Sequence, residues 1–124
     1  MLVIKNQTEN LEKSLSPHFT AREFRCKCGK CQITLVSGKL LFFLEALRKL
    51  WNDPIVIVSG YRCQEHNRSI PNSAIHSWHM SGHAVDLALP LEEREKQRFI
   101  AFCSATFPWS YEGSTFIHCD TRGA

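Results

Sequence analysis

Ser77-Trp78-His79-Met80-Ser81-Gly82-His83-Ala84-Val85-Asp86-Leu87-Ala88-Leu89 is the stretch from which the rest of the chain can be read. Its second half alternates, so that Ala84, Asp86 and Ala88 share one face of a strand while Val85, Leu87 and Leu89 share the other. The larger apolar side chains then go to a core, and the Asp86 carboxylate lies among small residues where a ligand can approach. His79 comes shortly before, with Gly82 between, which lets the chain leave a turn and enter the strand with both side chains converging. Phe116-Ile117-His118-Cys119-Asp120 reads as a neighbouring strand on which His118 and Asp120 face the same way. His79, Asp86 and His118 offer two imidazoles and one carboxylate, a donor set that leaves a catalytic zinc with an open fourth position. A single histidine is more often a core or surface residue than a ligand, so the weight rests on the combination.

One domain surrounds these motifs. The chain has 124 residues, 44% of them hydrophobic, enough for one compact core and no more. Fifteen basic against twelve acidic residues give a net charge of +3, the balance of an ordinary solvated surface. No Lys/Arg run argues for nucleic acid. No apolar stretch approaches the roughly twenty residues a bilayer span needs, so stable membrane insertion is not expected. The start, MLVIKNQTENLEKS, lacks a signal-peptide pattern, which sets the expectation of synthesis in a cytoplasm with reduced thiols.

Six cysteines are unevenly spread. Cys63, Cys103 and Cys119 sit singly in segments that read as ordered, where small buried apolar residues are expected. Cys26, Cys28 and Cys31 cluster in CKCGKC. Three thiolates on a glycine-containing turn can hold a structural metal if a fourth ligand arrives from elsewhere; otherwise they pack, or pair under oxidising conditions. A zinc knuckle reading nucleic acid has no basic or aromatic pattern to support it.

Thr20-Ala21-Arg22-Glu23 has capping-box spacing and predicts a short helix through Phe24. Ser37 caps a longer helix in which Leu40, Leu41, Phe43, Leu44, Leu47, Leu50 and Trp51 recur at helical spacing, ending before Asn52-Asp53-Pro54. Ile55 to Val58 reads as a buried strand carrying Ser59-Gly60-Tyr61-Arg62 at its end. Residues 63–78, with Pro71 and Asn72, read as a loop containing one helical turn near Gln64 to Arg68. After Pro90, LEEREKQRFIAFCSAT predicts an amphipathic helix with acids in its first turn and Phe99, Ile100 and Cys103 on its apolar face. Tyr111, Gly113 and the run from Thr115 to Asp120 predict a hairpin or strand.

Taken together, SGYR at 59–62, Asn67, the Ser-x-His-x-x-Gly-x-Ala-x-Asp pattern at 77–86 and the strand 116–120 resemble the M15 zinc peptidases of bacterial cell walls. HFTAREFRCKCGKC, residues 18–31, is similar to the opening of the branch that includes D-alanyl-D-alanine carboxypeptidases and their phage relatives. The resemblance implies an α+β fold: a single domain over 17–124, preceded by an N-terminal extension over 1–16, with an antiparallel sheet flanked by helices, as in Hedgehog signalling domains. It implies Zn2+ held by His79, Asp86 and His118, and Arg62 and Ser77 at the substrate, where a guanidinium fork suits a carboxylate.

The implied activity is metal-assisted hydrolysis of amide bonds in peptidoglycan stem peptides, by a carboxypeptidase or a cross-link endopeptidase. Better-known M15 branches carry an acid three positions before the last zinc histidine; here that position is Thr115. Asp120 and Glu112 are the nearest substitutes, Asp120 for proton transfer or for orienting a ligand imidazole. His83 and His76 are candidate transition-state stabilisers. A monomer acting at the wall, after phage-mediated release or as a virion component, is the expected setting. The alternative is a zinc-binding wall or interaction module that has lost catalysis.

Overall fold

The computed structural model describes residues 1–71 and 73–124; Asn72, in the loop expected over 63–78, lies outside the described residues. Alternation on two strands organises everything else. β5 (Ile57–Ser59), β6 (Ala84–Ala88), β7 (Trp109–Glu112) and β8 (Phe116–Asp120) form an antiparallel sheet in the order β5-β6-β8-β7. β6 and β8 pair without interruption, placing Val85 opposite Cys119 and Leu87 opposite Ile117. All four are fully buried in the hydrophobic core. On the other face Ala84 lies opposite Asp120, and Asp86 opposite His118. One sheet thus has an oily face and a chemical face, as period-two side-chain placement requires.

Two helices cover the oily face. α2 (Gly38–Trp51) starts at Ser37, whose Oγ accepts the Lys39 N–H, and stops at Asn52, which takes the left-handed conformation (φ 54°). Leu40, Leu41, Leu44 and Leu47 are its buried face, whereas Leu50, expected there from its spacing, points to solvent. α4 (Glu93–Thr106) is capped by the Glu92 carboxylate, which accepts from the Arg94 and Glu95 N–H groups, and buries Phe99 and Cys103. Trp51 meets Phe99 edge-to-face with centroids 4.9 Å apart, locking the two helices together. The mixed helix and antiparallel-sheet architecture is the α+β class expected.

Two further two-stranded sheets close the domain. β1 (Leu2–Lys5) pairs with β4 (Ile33–Val36), and β2 (Ser14–Ser16) with β3 (Phe19–Thr20). Residues 1–16, set apart in the sequence as an extension, are built into the fold through β1 and the buried Leu11 of α1 (Thr8–Leu11). The capping box at Thr20–Glu23 is present and starts a 3-10 helix, Ala21–Phe24. The helical turn expected near Gln64 is α3 (Gln64–Ser69). Cys103 and Cys119 are buried in the core as expected, but Cys63 is partly exposed at the head of α3. No helix among the described residues is long and apolar enough to cross a membrane.

Candidate metal centre

His79 is placed by a short 3-10 turn, Trp78–Ser81, that begins at Ser77 and ends at Gly82. The Ser77 hydroxyl accepts the His79 N–H at 3.2 Å, and Gly82 closes the turn at φ 75°. A side chain at Gly82 would sit 2.5 Å from the Leu35 carbonyl oxygen, so both the conformation and the space require glycine. The Gly82 carbonyl accepts the Ser37 N–H at 2.8 Å, tying this turn to the start of α2. The turn delivers His79 over the chemical face of β6, beside Asp86 and His118, which already face one another across the ladder.

The three side chains converge. Asp86 Oδ1 lies 3.1 Å from His79 Nε2 and 3.0 Å from His118 Nδ1, and all three residues are buried. The far nitrogens are committed elsewhere. His79 Nδ1 is 2.7 Å from the Gly60 carbonyl oxygen, which can only accept, so that nitrogen carries a proton. His118 Nε2 is 2.7 Å from Asp120 Oδ2, and its proton is assigned there by the same reasoning. In neutral imidazoles the two remaining nitrogens then present lone pairs, both aimed at an ionised carboxylate oxygen. Three lone pairs converging in a buried space repel unless a cation sits between them, so the residues fit a bound metal. Each histidine also has the outer hydrogen bond that fixes the tautomer and ring orientation of a metal-bound imidazole.

Charge is balanced around the centre. Arg62 Nη2 donates to Asp86 Oδ2 at 3.0 Å, and Arg122 grips Asp120 through Nε, Nη2 and its backbone N–H. Burial alone would raise the Asp86 carboxyl, but His118 and His79, which without a metal can carry protons on the nitrogens that face it, outweigh burial and hold it well below the usual carboxylate range. Asp120 follows the same pattern: burial opposes ionisation, while Arg122 and His118 favour it more strongly and leave the group below its ordinary value. Both carboxylates are therefore ionised at neutral pH. Burial and the Asp86 charge push the Tyr111 phenol up, so it remains a donor.

A cleft of about 520 Å³ opens over the centre. Its wall includes His79, Asp86, His118, Arg62 and Ser77, with Tyr111 stacked on the His118 ring at a centroid distance of 4.8 Å. Asp120 is fully buried behind His118 and takes no part in the wall, the position of an orienting group. Glu112, alternating with Tyr111 on β7, is turned away from it toward α4 and pairs with Lys96 at 3.3 Å. His83 bonds Ser81 at 2.9 Å and lies outside this wall, whereas His76 is on it. The structure thus brings six of the sequence candidates together, Arg62, His76, Ser77, His79, Asp86 and His118, keeps Asp120 behind His118, and places Glu112 and His83 elsewhere.

Residues 17–120 match the family model for Peptidase M15. The chain belongs to the M15 peptidase family. No curated protein and no solved structure gives a significant match. Membership supports a peptidase of the metallopeptidase kind, and His79, Asp86 and His118 form a buried group that could hold a metal ion. Sequence reading missed three contributors. The Gly60 carbonyl leaves no side-chain signal. Tyr111 could have been found from the hairpin register, which sets it opposite His118. Arg122 sits in the turn just beyond β8, outside any strand period.

Proposed function

We propose that the chain is a zinc-dependent metallopeptidase that hydrolyses amide bonds in peptidoglycan stem peptides, releasing a terminal D-alanine or opening a cross-link. The observation that carries the reading is the convergence of His79 Nε2, His118 Nδ1 and Asp86 Oδ1, with both far imidazole nitrogens already bonded. Two nitrogens and one oxygen form the donor set of an open, catalytic zinc rather than a closed structural one. Bound there, zinc would polarise the scissile carbonyl and acidify water.

The remaining work falls to the protein. Arg62 is held by Ser59 Oγ at 3.3 Å, by Asn67 Oδ1 at 3.5 Å and by Asp86, and it lines the cleft, where the second N–H of each terminal nitrogen can meet a peptide carboxylate. Arg122, also on the cleft wall, lies 4.4 Å from the Trp109 ring centroid, and its positive charge also favours an anionic peptide end. The Tyr111 phenol can donate to an oxygen on which negative charge develops. His76 is the base on the cleft wall, among the described residues, that is not a candidate ligand, and we assign it the proton taken from the attacking water. Asp120 acts through His118, by fixing which nitrogen faces the cleft.

One observation favours the alternative of a metal-binding module without turnover: among the described residues, Asp86 is the sole carboxylate on the cleft wall. The two readings separate by mass spectrometry of muropeptides after incubating zinc-loaded protein with purified peptidoglycan, beside a chelated sample and His118→Ala. Zinc-dependent products are expected, and their masses distinguish loss of D-alanine from cross-link cleavage. Absence of products across several wall chemistries, with stoichiometric zinc bound, would establish the module instead.

A further inference from the structure

Cys26, Cys28 and Cys31 do gain a fourth partner. Cys63, thirty-seven positions beyond Cys26, reaches them from the head of α3. The four Sγ atoms all lie within 4.8 Å of one another. Cys63 Sγ is 3.8 Å from Cys26 Sγ and 3.8 Å from Cys28 Sγ, and Cys28 Sγ is 3.1 Å from Cys31 Sγ. A tetrahedral zinc with Zn–S bonds of about 2.3 Å spaces its sulfurs about 3.8 Å apart. Two of the three separations have that value, and both involve the residue that arrives from elsewhere in the chain.

Backbone geometry serves the sulfurs. Cys28 Sγ accepts the Lys30 N–H at 3.3 Å, Cys26 Sγ accepts the Cys63 N–H at 3.4 Å, and Cys63 Sγ accepts the His66 N–H at 3.4 Å. Such bonds stabilise thiolate over thiol and orient the lone pairs. Gly29, at φ 71°, makes the turn that brings Cys28 and Cys31 together; its side-chain direction is open space, so the conformation alone calls for glycine. Cys28, Cys31 and Cys63 are partly exposed along a cleft of about 620 Å³, which gives a metal a way in.

We infer that Cys26, Cys28, Cys31 and Cys63 form a second, structural metal site that takes zinc. Four soft thiolates in tetrahedral array select a zinc-like ion, and four protein ligands leave no open position for chemistry. The site stands apart from the His79, Asp86 and His118 centre and does not depend on the peptidase reading. Its role is mechanical. It clamps the turn after the 3-10 helix to residue 63, next to Arg62, whose backbone N–H is bonded to the His79 carbonyl at 3.1 Å. Filling the thiolate site therefore fixes the segment that carries Arg62 into the peptidase cleft.

Cobalt substitution of the reduced protein tests this directly, because thiolate-to-cobalt charge transfer in the near ultraviolet cannot come from an imidazole and carboxylate site. Strong charge-transfer bands are expected in wild type, unchanged in His79→Ala/His118→Ala and lost in Cys28→Ser/Cys31→Ser. The histidine variant separates this site from the peptidase centre: bands that vanish there would overturn the assignment and leave the peptidase question to the muropeptide assay. Should the cysteine variant fail to fold, alkylation of wild type followed by peptide mapping decides. Zinc is expected to abolish labelling at all four cysteines, and chelation to restore it. Undiminished labelling in saturating zinc, or a Cys28–Cys31 disulfide in protein freshly isolated from a reducing cytoplasm, would refute the site.

Discussion

Asp120→Asn isolates what holds the second imidazole. The Asp120 carboxylate is fully buried and accepts His118 Nε2–H at 2.7 Å on Oδ2, Arg122 Nη2–H at 2.7 Å on the same oxygen, and the Arg122 backbone N–H at 3.0 Å on Oδ1. Asparagine has one acceptor oxygen and one donor amide. With its oxygen toward His118, the amide meets the Arg122 donors. With its amide toward His118, Nε2 must accept, and the imidazole proton moves to Nδ1, the atom facing Asp86. Either arrangement is strained, and the second removes the lone pair that a metal needs. Losing an outer-shell partner of this kind lowers metal affinity or activity by about 10–100-fold, which is about 1.4–2.7 kcal/mol. Fold stability should fall by about 2 kcal/mol at most, because Arg122 is 36% exposed and can rehydrate. Competition against a chromophoric chelator measures the affinity, and Tyr111→Phe, which keeps the ring stacked on His118, serves as a control with unchanged affinity. An Asp120→Asn protein that binds metal within about twofold of wild type, yet turns over slowly at saturating metal, would refute the orienting role and make Asp120 a proton carrier.

Gly82→Ala is expected to lose at least about 1–3 kcal/mol from the left-handed backbone alone, and more from the clash with Leu35; denaturant melts check this, and an unchanged midpoint would contradict the turn. Leu44→Ala empties a fully buried position facing the sheet and should cost about 2–5 kcal/mol in the same melts. Glu45 reports on acid stability: burial raises its carboxyl, but hydrogen bonds from Ser16 and His18 outweigh this and leave it below its ordinary 4.5. A depressed folded value means the contribution is complete above about pH 4.5 and is lost as pH falls through the folded value, so Glu45→Gln should flatten the acid limb of the stability profile. Equal slopes in both proteins would exclude that carboxylate as the cause.

The parts legible in the sequence were those governed by short-range periodicity. Val85 and Leu87 against Ala84 and Asp86 fixed the two faces of β6, and helical spacing with Ser37 and Asn52 fixed α2. Leu50 broke the pattern because a helix face is buried only where something covers it, and Leu50 lies to the side of the stripe through Leu40, Leu44, Leu47 and Trp51 that meets the core. The short strands β1 to β4 carry too few residues for a period to show, and their pairing is set by contacts distant in the chain. Cys63 could not be assigned for the same reason, since no local pattern tells a thiol at the head of α3 that three others lie across the gap. Glu112 looked suitable by its nearness in sequence to Thr115, where other branches carry an acid. The pleat decides otherwise, because whichever face Tyr111 takes, its neighbour takes the other.

The same pleat makes the centre and the core inseparable. Ile117 and Cys119 hold β8 to the helices with the side chains that alternate with His118 and Asp120. A one-residue slip of β8 against β6 would put His118 in the oily core and Ile117 against Asp86, burying an imidazole without its partners and exposing an isoleucine. Core packing on one face is therefore what fixes the register that places donor atoms about 3 Å apart on the other. It also explains why so small a domain can keep two acids ionised under cover. The hydrophobic face supplies the folding energy, and the polar face retains its charges because each carboxylate meets one arginine and at least one imidazole. Removing either arginine should therefore disturb metal affinity before it disturbs the fold, whereas removing Leu44 should do the reverse.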